Sequence, residues 1–340
     1  MLVEVKADIF RQEQARELTR LINLAIYKGR YDIFVDISTI AEAVWNHFSP
    51  SDKEVLEERF ERWVQEGSQR ADLVVSEAGN SEFFALDEAI RYLDQPFKIV
   101  LENSLNDAYF LEALRRNFKN KSKKITRLKE NGFLSYENAG GKNNLKNWVE
   151  AALRAFGSLP KSPERYLRLF VLVDSDRKFK GHSPSDLQAL EKYLKEKSIP
   201  HHILEKREME NYLPDETFEK ISGNRDYIRA YLNLTPEQKD YFDIQKGFDD
   251  HNRETPWGSK GEKNFTDKQK EAFKALYATV SDSDWTIFRK NNLQMPNFKV
   301  EFPKLFESKS VTQETLKKRV SHQDAPTELT DILDKISRAL

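Results

Sequence analysis

The chain contains no cysteine. Disulfides, thiolate nucleophiles and cysteine-held zinc sites are therefore excluded. It also lacks any apolar run approaching the roughly 20 residues that span a bilayer, so no membrane segment is expected. No signal peptide is read at the start: Met1-Leu2-Val3-Glu4-Val5-Lys6 has the character of a short strand, and a cytoplasmic protein is the default expectation. Neither sign of charge is in excess. The formal net charge is −1 over 340 residues, so any nucleic-acid surface must be a local patch rather than a property of the whole molecule. The six histidines show no metal-ligand spacing. A P-loop is missing as well. Gly140-Gly141-Lys142 invites that reading, but Tyr136 stands where the first glycine is needed and Asn143 where Ser or Thr is needed, which excludes an ATPase site there.

What is present is a folded composition, rich in Phe, Tyr, Leu and Ile despite a high charge content. The length allows two or three domains. Residues 1–94 read as a mixed α/β region. Strands are predicted at 1–6, 31–36 and 71–75. Helices are predicted at Ala15–Ile26, from Ser51 with Leu56, Phe60 and Trp63 on one side, and at Ser81–Leu93. Residues 95–222 alternate strand and helix regularly, which implies a parallel sheet with right-handed crossovers. Strands are expected at 97–101, 133–136, 168–173 and 201–204. The run Leu169-Phe170-Val171-Leu172-Val173 has no polar alternation, as a strand covered on both faces requires. Asn143 or Asn144 can cap one crossover helix, and Ser183-Pro184 can open another. Residues 223–340 become helical and more polar. Thr235-Pro236-Glu237-Gln238 is a helix start, 249–265 looks like a loop, and a tail helix carries Leu329, Ile332, Leu333 and Ile336 on one face. The five Trp residues are scattered and read as core.

The chemistry-bearing residues are acids placed after predicted strands. Glu102 closes 97–101 and Asp107 follows. Asp174 and Asp176 close 168–173, and Glu208 and Glu210 lie just beyond 201–204. Strands of a parallel sheet present their carboxyl ends on one edge, where ligand sites form. An extended backbone would turn Asp174 and Asp176 to the same side as a two-carboxylate claw. Carboxylates so close repel unless a cation or a proton intervenes. Oxygen donors without Cys or His favour Mg²⁺ or Mn²⁺ over Zn²⁺. The competing reading of Asp174-Ser175-Asp176 is a loop start or cap, and that of Arg207-Glu208-Met209-Glu210 a solvated charge run.

Val100-Leu101-Glu102, Asp107, Gly140-Gly141, Val173-Asp174-Ser175-Asp176 and Arg207-Glu208-Met209-Glu210-Asn211-Tyr212-Leu213 together resemble a Toprim domain. That is the fold of topoisomerases, primases and OLD-family nucleases, and the nearest likeness is to the OLD-like nucleases of bacterial phage defence. The resemblance covers about 95–222. Two departures stand out: Asn103 replaces the family's glycine, and Asp107 comes five residues after the glutamate rather than four. The resemblance implies a Rossmann-like parallel sheet with helices on both faces. It implies two metals flanking a scissile phosphate, with Glu102 as ligand or base. Asp174 and Asp176 would hold the metals, Glu208 or Glu210 would complete the set, and Asp107 would be a further ligand. It also implies that an ATPase can be supplied by a separate chain, and it allows self-association.

Basic residues supply the second signal. Arg115, Arg116, Lys119, Lys121, Lys123, Lys124, Arg127 and Lys129 form a stretch free of acids, suited to a nucleic-acid backbone; a solvated helix end and loop is the other reading. Arg177, Lys178 and Lys180 follow the Asp pair directly. Gly140-Gly141 allows a tight turn and close approach to a phosphate, which Lys142 would neutralise; a simple turn is the alternative. The expected nucleic-acid contacts are thus Lys142, Arg177, Lys178, Lys121, Lys123 and Lys124. Together these features point to a Mg²⁺- or Mn²⁺-dependent endonuclease acting on DNA or RNA, in the setting of antiviral defence. The rivals are a non-catalytic subunit binding nucleic acid or a partner, and a primase-like nucleotidyl transferase. The missing zinc-ribbon cysteines argue against a full primase.

Overall fold

The computed structural model describes residues 1–340 except 28, 68–69, 220, 222, 249–250, 257, 259–263 and 291–297, and only the backbone at 12, 26 and 27. The fold is α/β, with two parallel sheets. The first has strands β1 (Leu2–Val5), β2 (Asp32–Val35) and β3 (Leu73–Val75) in the order β2-β1-β3. The second has β4 (Phe97–Leu101), β5 (Leu134–Asn138), β6 (Leu169–Val173) and β7 (His201–Ile203) in the order β5-β4-β6-β7. Every pairing is parallel.

Helices α1 (Ala15–Ile22), α2 (Glu42–Trp45), α3 (Pro50–Glu66) and α4 (Leu86–Asp94) accompany the first sheet. Ser49 caps α3 by accepting the Asp52 N–H at 3.1 Å, with Pro50 at the first position, where its missing N–H costs nothing. The expected helix from Ser81 starts later, at Leu86. Asn80 Oδ1 accepts the N–H groups of Glu82 and Phe83, and Phe84 bridges to Val75, so the chain bends through 81–83 and the helix cannot begin there. Around the second sheet run α5 (Ser104–Asn117), α6 (Lys119–Glu130), α7 (Lys142–Arg154) and α8 (Ser185–Glu196). α6 carries the basic stretch from Lys119 on, while Arg115 and Arg116 lie in the last turn of α5. Ser122, Ile125 and Leu128 are its buried side, so it is a packed helix rather than a helix end and loop.

Alternation along the central strands sorts side chains to two covered faces. Phe97, Ile99 and Leu101 of β4 and Phe170 and Leu172 of β6 join a core with α5, α6 and the helices of the C-terminal region. Val100 of β4 and Leu169, Val171 and Val173 of β6 pack with Leu145 and Val149 of α7 and Leu187 and Leu194 of α8. All of β6 is buried, which explains its unbroken apolar run; each such side chain contributes on the order of 1.5–3 kcal/mol. The first sheet has its own core, which the buried Tyr166 joins. There Glu88 accepts from Lys161 Nζ at 2.5 Å and from Tyr166 OH at 2.6 Å, all three buried. Burial alone would raise the Glu88 carboxyl, but its two partners outweigh that and hold it below the usual range.

The C-terminal helices share the core of the second sheet. The terminal helix Glu328–Ala339 buries Leu329, Ile332, Leu333 and Ile336 against it, so its apolar stripe packs on its own chain. Thr235 and Gln238 form a reciprocal cap at the start of Pro236–Tyr241. Within the segment read as a loop, 249–250, 257 and 259–263 lie outside the described residues, Trp257 among them, and 251–256 carry neither helix nor strand. Trp285 is buried; Trp45, Trp63 and Trp148 are half-buried. Among the described residues no helix is long and apolar enough to cross a membrane.

Candidate acidic site

Strand order brings the acids together. β4, β6 and β7 are consecutive neighbours and all parallel, so Glu102, the pair Asp174 and Asp176, and the segment holding Glu208 and Glu210 follow the same edge of one sheet. β5 lies on the other side of β4 and delivers Gly140, Gly141 and Lys142 to that edge. The two glycines have φ of 77° and 103°, the left-handed region that glycine enters without strain. They make the tight turn the sequence suggested. α7 then starts at Lys142 itself, ahead of the expected Asn cap.

Glu102 is half-buried. Its Oε2 accepts the backbone N–H of Lys142 at 3.1 Å, while Oε1 is buried with no hydrogen-bond partner. Burial, with Asp176 and Asp107 nearby, pushes its carboxyl up to about 7 against the pull of Lys142. Asp107 lies in the first turn of α5, where Oδ2 accepts the Asn103 N–H at 2.8 Å. Burial raises it to about 6. The displaced spacing thus leaves Asp107 at the site but ties one of its oxygens to the start of its own helix. Asp174 Oδ1 accepts the Met209 N–H at 3.0 Å, and its carboxyl is pushed well up by burial and then by Glu102, Asp107, Glu210 and Glu208. Glu210 rises to about 8 through burial and then Glu208. Glu208 is also raised by burial, although Arg207 opposes this.

The expected Asp-Ser-Asp claw needs correction. Asp176 has φ of 52°, so the backbone is not extended through the motif, and simple alternation cannot place its two carboxylates. The turn is fixed by the Asp176 N–H donating to Arg207 O at 2.9 Å and by the Ser175 hydroxyl donating to Lys206 O at 2.5 Å. Asp176 instead forms an ion pair with Lys142, whose ammonium is also 4.0 Å from Asp186. Lys142, expected at a substrate phosphate, is thus a cation within the acidic group.

The remaining basic candidates are engaged elsewhere or lie apart. Arg177 pairs with Glu205 at 2.6 Å, and the Lys178 ammonium sits 5.5 Å from the centre of the Phe265 ring. α5 starts just past the carboxyl end of β4 and runs back, since the Phe97 N–H bonds Phe133 O where β4 and β5 begin. α6 therefore lies toward the amino edge, opposite the acids. There Lys121 pairs with Asp334 at 2.8 Å, and Lys124 donates to Ser337 O at 3.0 Å. Those two, expected to be free for nucleic acid, hold the terminal helix instead. Lys123 stays exposed, with Lys119 and Arg127 one turn to either side along a groove of about 700 Å³.

Residues 223–340, in which no motif was legible, supply partners to the acidic segment. Asp243 pairs with Arg207 at 2.8 Å, and Arg207 also meets Glu208 at 3.2 Å. Asn211 donates to Lys239 O and Phe242 O. Lys206, fully buried, donates to Asp240 and Arg319 O, both at 2.7 Å. Glu328 accepts from Tyr212 OH, the Glu205 N–H and the His202 ring. His202, Asn211 and Tyr212 thus pack and orient this segment. None of these acids stands after a strand, so no pattern announces them.

The donor types suit a hard divalent cation, because they are carboxylate oxygens and one of them, Glu102 Oε1, is buried without a partner. Their present placement does not complete such a site: among the described residues no group of three or more acidic or histidine side chains is positioned to hold a metal ion. The ammonium of Lys142 stands among them. Compared with models of protein families, with curated proteins and with solved structures, the chain matches none of them.

Proposed function

We propose that the chain is a Toprim-type, Mg²⁺- or Mn²⁺-dependent nuclease that hydrolyses phosphodiester bonds of DNA or RNA. The observation that carries this reading is the convergence of Glu102, Asp174, Asp176, Glu208 and Glu210 at one carboxyl edge of a parallel sheet. Burial there holds several carboxyls above their usual range, an arrangement that costs stability and is characteristic of functional sites. When bound, a divalent cation would activate water and stabilise the leaving oxygen. Glu102, Asp174 and Asp176 would hold it, with Glu208 or Glu210. Asp107 fixes the start of α5, and Arg207 orients Glu208. Nucleic acid is the expected partner; a separate ATPase subunit, self-association and the antiviral setting rest on the family resemblance.

A second reading has one specific observation in its favour. Lys142 neutralises the acidic group from within, which suits a non-catalytic subunit that has kept the fold. Incubation of plasmid, single-stranded DNA and tRNA with Mg²⁺, Mn²⁺ or EDTA separates the two. Metal-dependent cleavage that Glu102→Gln and Asp174→Asn abolish supports the nuclease. Absence of cleavage with either metal, or wild-type cleavage by both variants, favours the non-catalytic subunit or another site.

A further inference from the structure

Arg319 uses one end of its guanidinium and leaves a whole edge without a partner. It lies in the helix Gln313–Val320, and its side chain is 5 % exposed. Nη1 donates to Asp240 Oδ1 at 2.7 Å and lies 3.5 Å from Pro236 O. Nε and Nη2, on the side turned away from Nη1, are buried and make no hydrogen bond. Asp240 does not answer this cation alone, because it also accepts from Lys206 and His322, both at 2.7 Å. Tyr231 and Asp215 are near enough to favour the Arg319 charge, but neither meets the free edge in hydrogen-bonding geometry. The Tyr231 hydroxyl and Asp215 Oδ1 are themselves buried without partners. Groups of this kind are costly to leave unmade, a charged one most of all. Arg319 and Asp215 also line a cavity of about 270 Å³, together with Glu216, Lys239 and Lys318. The cavity is small beside the roughly 300–1,000 Å³ of drug-sized sites, but it has room for a small ion. Its three cations outnumber its two acids. Lys239, 5 % exposed, donates to Asp215 Oδ2 at 2.7 Å, and the exposed Lys318 is 3.4 Å from Glu216.

The partnerless atoms set two opposite demands on a ligand. The Nε–Nη2 edge presents two parallel N–H bonds, which match a pair of oxygens on a carboxylate, sulfate or phosphate. Asp215 Oδ1 needs a hydrogen to accept. A carboxylate or a sulfate is fully ionised near neutral pH and offers acceptors only. A phosphate group, with its second pKa at about 6, keeps one proton on a good part of its molecules there, and so offers both. We propose that this cavity binds a phosphate group carrying one proton, as free phosphate or a small phosphate monoester. Arg319 takes two of its oxygens through Nε and Nη2, and Asp215 Oδ1 accepts from its hydroxyl. Lys239 and Lys318 add positive charge at the wall. None of these residues belongs to the acidic group at the sheet edge, so the inference stands whether or not the chain binds a metal.

The test is titration calorimetry of the full chain with inorganic phosphate, sulfate and glycerol phosphate, in EDTA at about pH 6.5, with cooperative unfolding checked for each variant. The wild type should bind inorganic phosphate at least about tenfold more tightly than sulfate, roughly 1.4 kcal/mol. Arg319→Lys keeps a cation for Asp240 but loses the fork, and should weaken phosphate binding about tenfold or more. Asp215→Asn keeps an oxygen for Lys239 and puts an N–H donor where Oδ1 stood, so sulfate should then bind at least as well as phosphate. Asp215 is half-buried and makes no bond to Asp240, so this variant decides the matter if Arg319→Lys does not fold. Glycerol phosphate binding more tightly than inorganic phosphate supports a monoester as the ligand, and its failure to bind where inorganic phosphate succeeds supports free phosphate. Phosphate binding that neither variant alters lies elsewhere on the chain and overturns the proposal. Equal binding of sulfate and phosphate by the wild type overturns it too. So does no binding up to about 10 mM, which would leave the buried edge to water.

Discussion

Replacing Glu102 by Gln should stabilise the fold, and by an amount that depends on pH. In the folded chain the Glu102 carboxyl is raised from 4.5 to about 7, first by burial and then by Asp176 and Asp107. A raised acid binds its proton more tightly in the folded state than in the unfolded one. Its contribution is therefore fully present below about pH 4.5 and is lost as pH rises through about 7. At about 1.4 kcal/mol per pH unit, the rise bounds the loss at ~3 kcal/mol. Two effects move the variant from that bound. The amide oxygen keeps the Lys142 N–H, but Lys142 loses a nearby charge. Asp174, in turn, loses the neighbour that opposes its ionisation most. A gain of about 1–3 kcal/mol at about pH 8, shrinking toward zero at about pH 4.5, is the expected balance, with the protons shared across the group rather than belonging to one residue. Urea unfolding in EDTA, followed by tryptophan fluorescence at both pH values, measures it. A gain that is the same at both, or a loss at the higher pH, would refute the idea that Glu102 is held against its own ionisation.

Three further outcomes are expected. Lys161→Met should cost about 3–5 kcal/mol in chemical unfolding at neutral pH, because Glu88 is left charged and buried without a cation, with only the Tyr166 hydroxyl and the Ala85 N–H donating to it; a cost near zero would show that Glu88 simply takes up a proton. Changing Lys119, Lys123 and Arg127 together to Ala should lower the slope of log affinity for nucleic acid against log salt by roughly 2–3 in EDTA, whereas Lys121→Ala should leave it unchanged because Lys121 is spent on Asp334. Glu328→Ala should destabilise by about 3 kcal/mol or more, since it strands the buried donors of Tyr212 and His202 and the half-buried Glu205 N–H; amide exchange of residues 204–213 faster than that of β4 would locate the damage.

The second sheet was legible because its strands leave a strong imprint. β6 is covered on both faces, and five apolar residues in a row can hardly be anything else when turns and helical periods flank them. Its alternation with α5, α7 and α8 fixed the parallel topology, and topology alone put Glu102, Asp174 and Glu208 on one edge. The side-chain geometry was not legible. The expectation for Asp176 assumed extended backbone, and the left-handed turn there is imposed by Arg207 O and Lys206 O, which lie distant in sequence. The fate of Lys121 and Lys124 depended on Asp334 and Ser337, more than two hundred residues away, as a stripe of charge says nothing about which helix will lie across it.

The C-terminal region raises the same issue from the other side. Its residues show no motif, yet the acidic segment 204–213 hangs from it: Lys206 on Asp240, Arg207 on Asp243, Asn211 on two carbonyls, Tyr212 on Glu328. β7 is only three residues long and sits at the end of its sheet, so ladder hydrogen bonds alone hold that segment weakly. Carboxylates that repel one another would drive it outward, all the more so while Glu208 and Glu210 are charged. The buried pairs supply the restraint that a short edge strand lacks. Asp240 shows what that restraint requires. It accepts from Lys206, Arg319 and His322 at once, and these partners, acting against burial, keep its carboxyl below the usual range. Its carboxyl is thus held below the usual range where that of Glu210 is pushed above it. One segment thus has a firmly charged anchor on the core side and reluctant carboxyls on the site side. The region without a motif is what makes that difference possible.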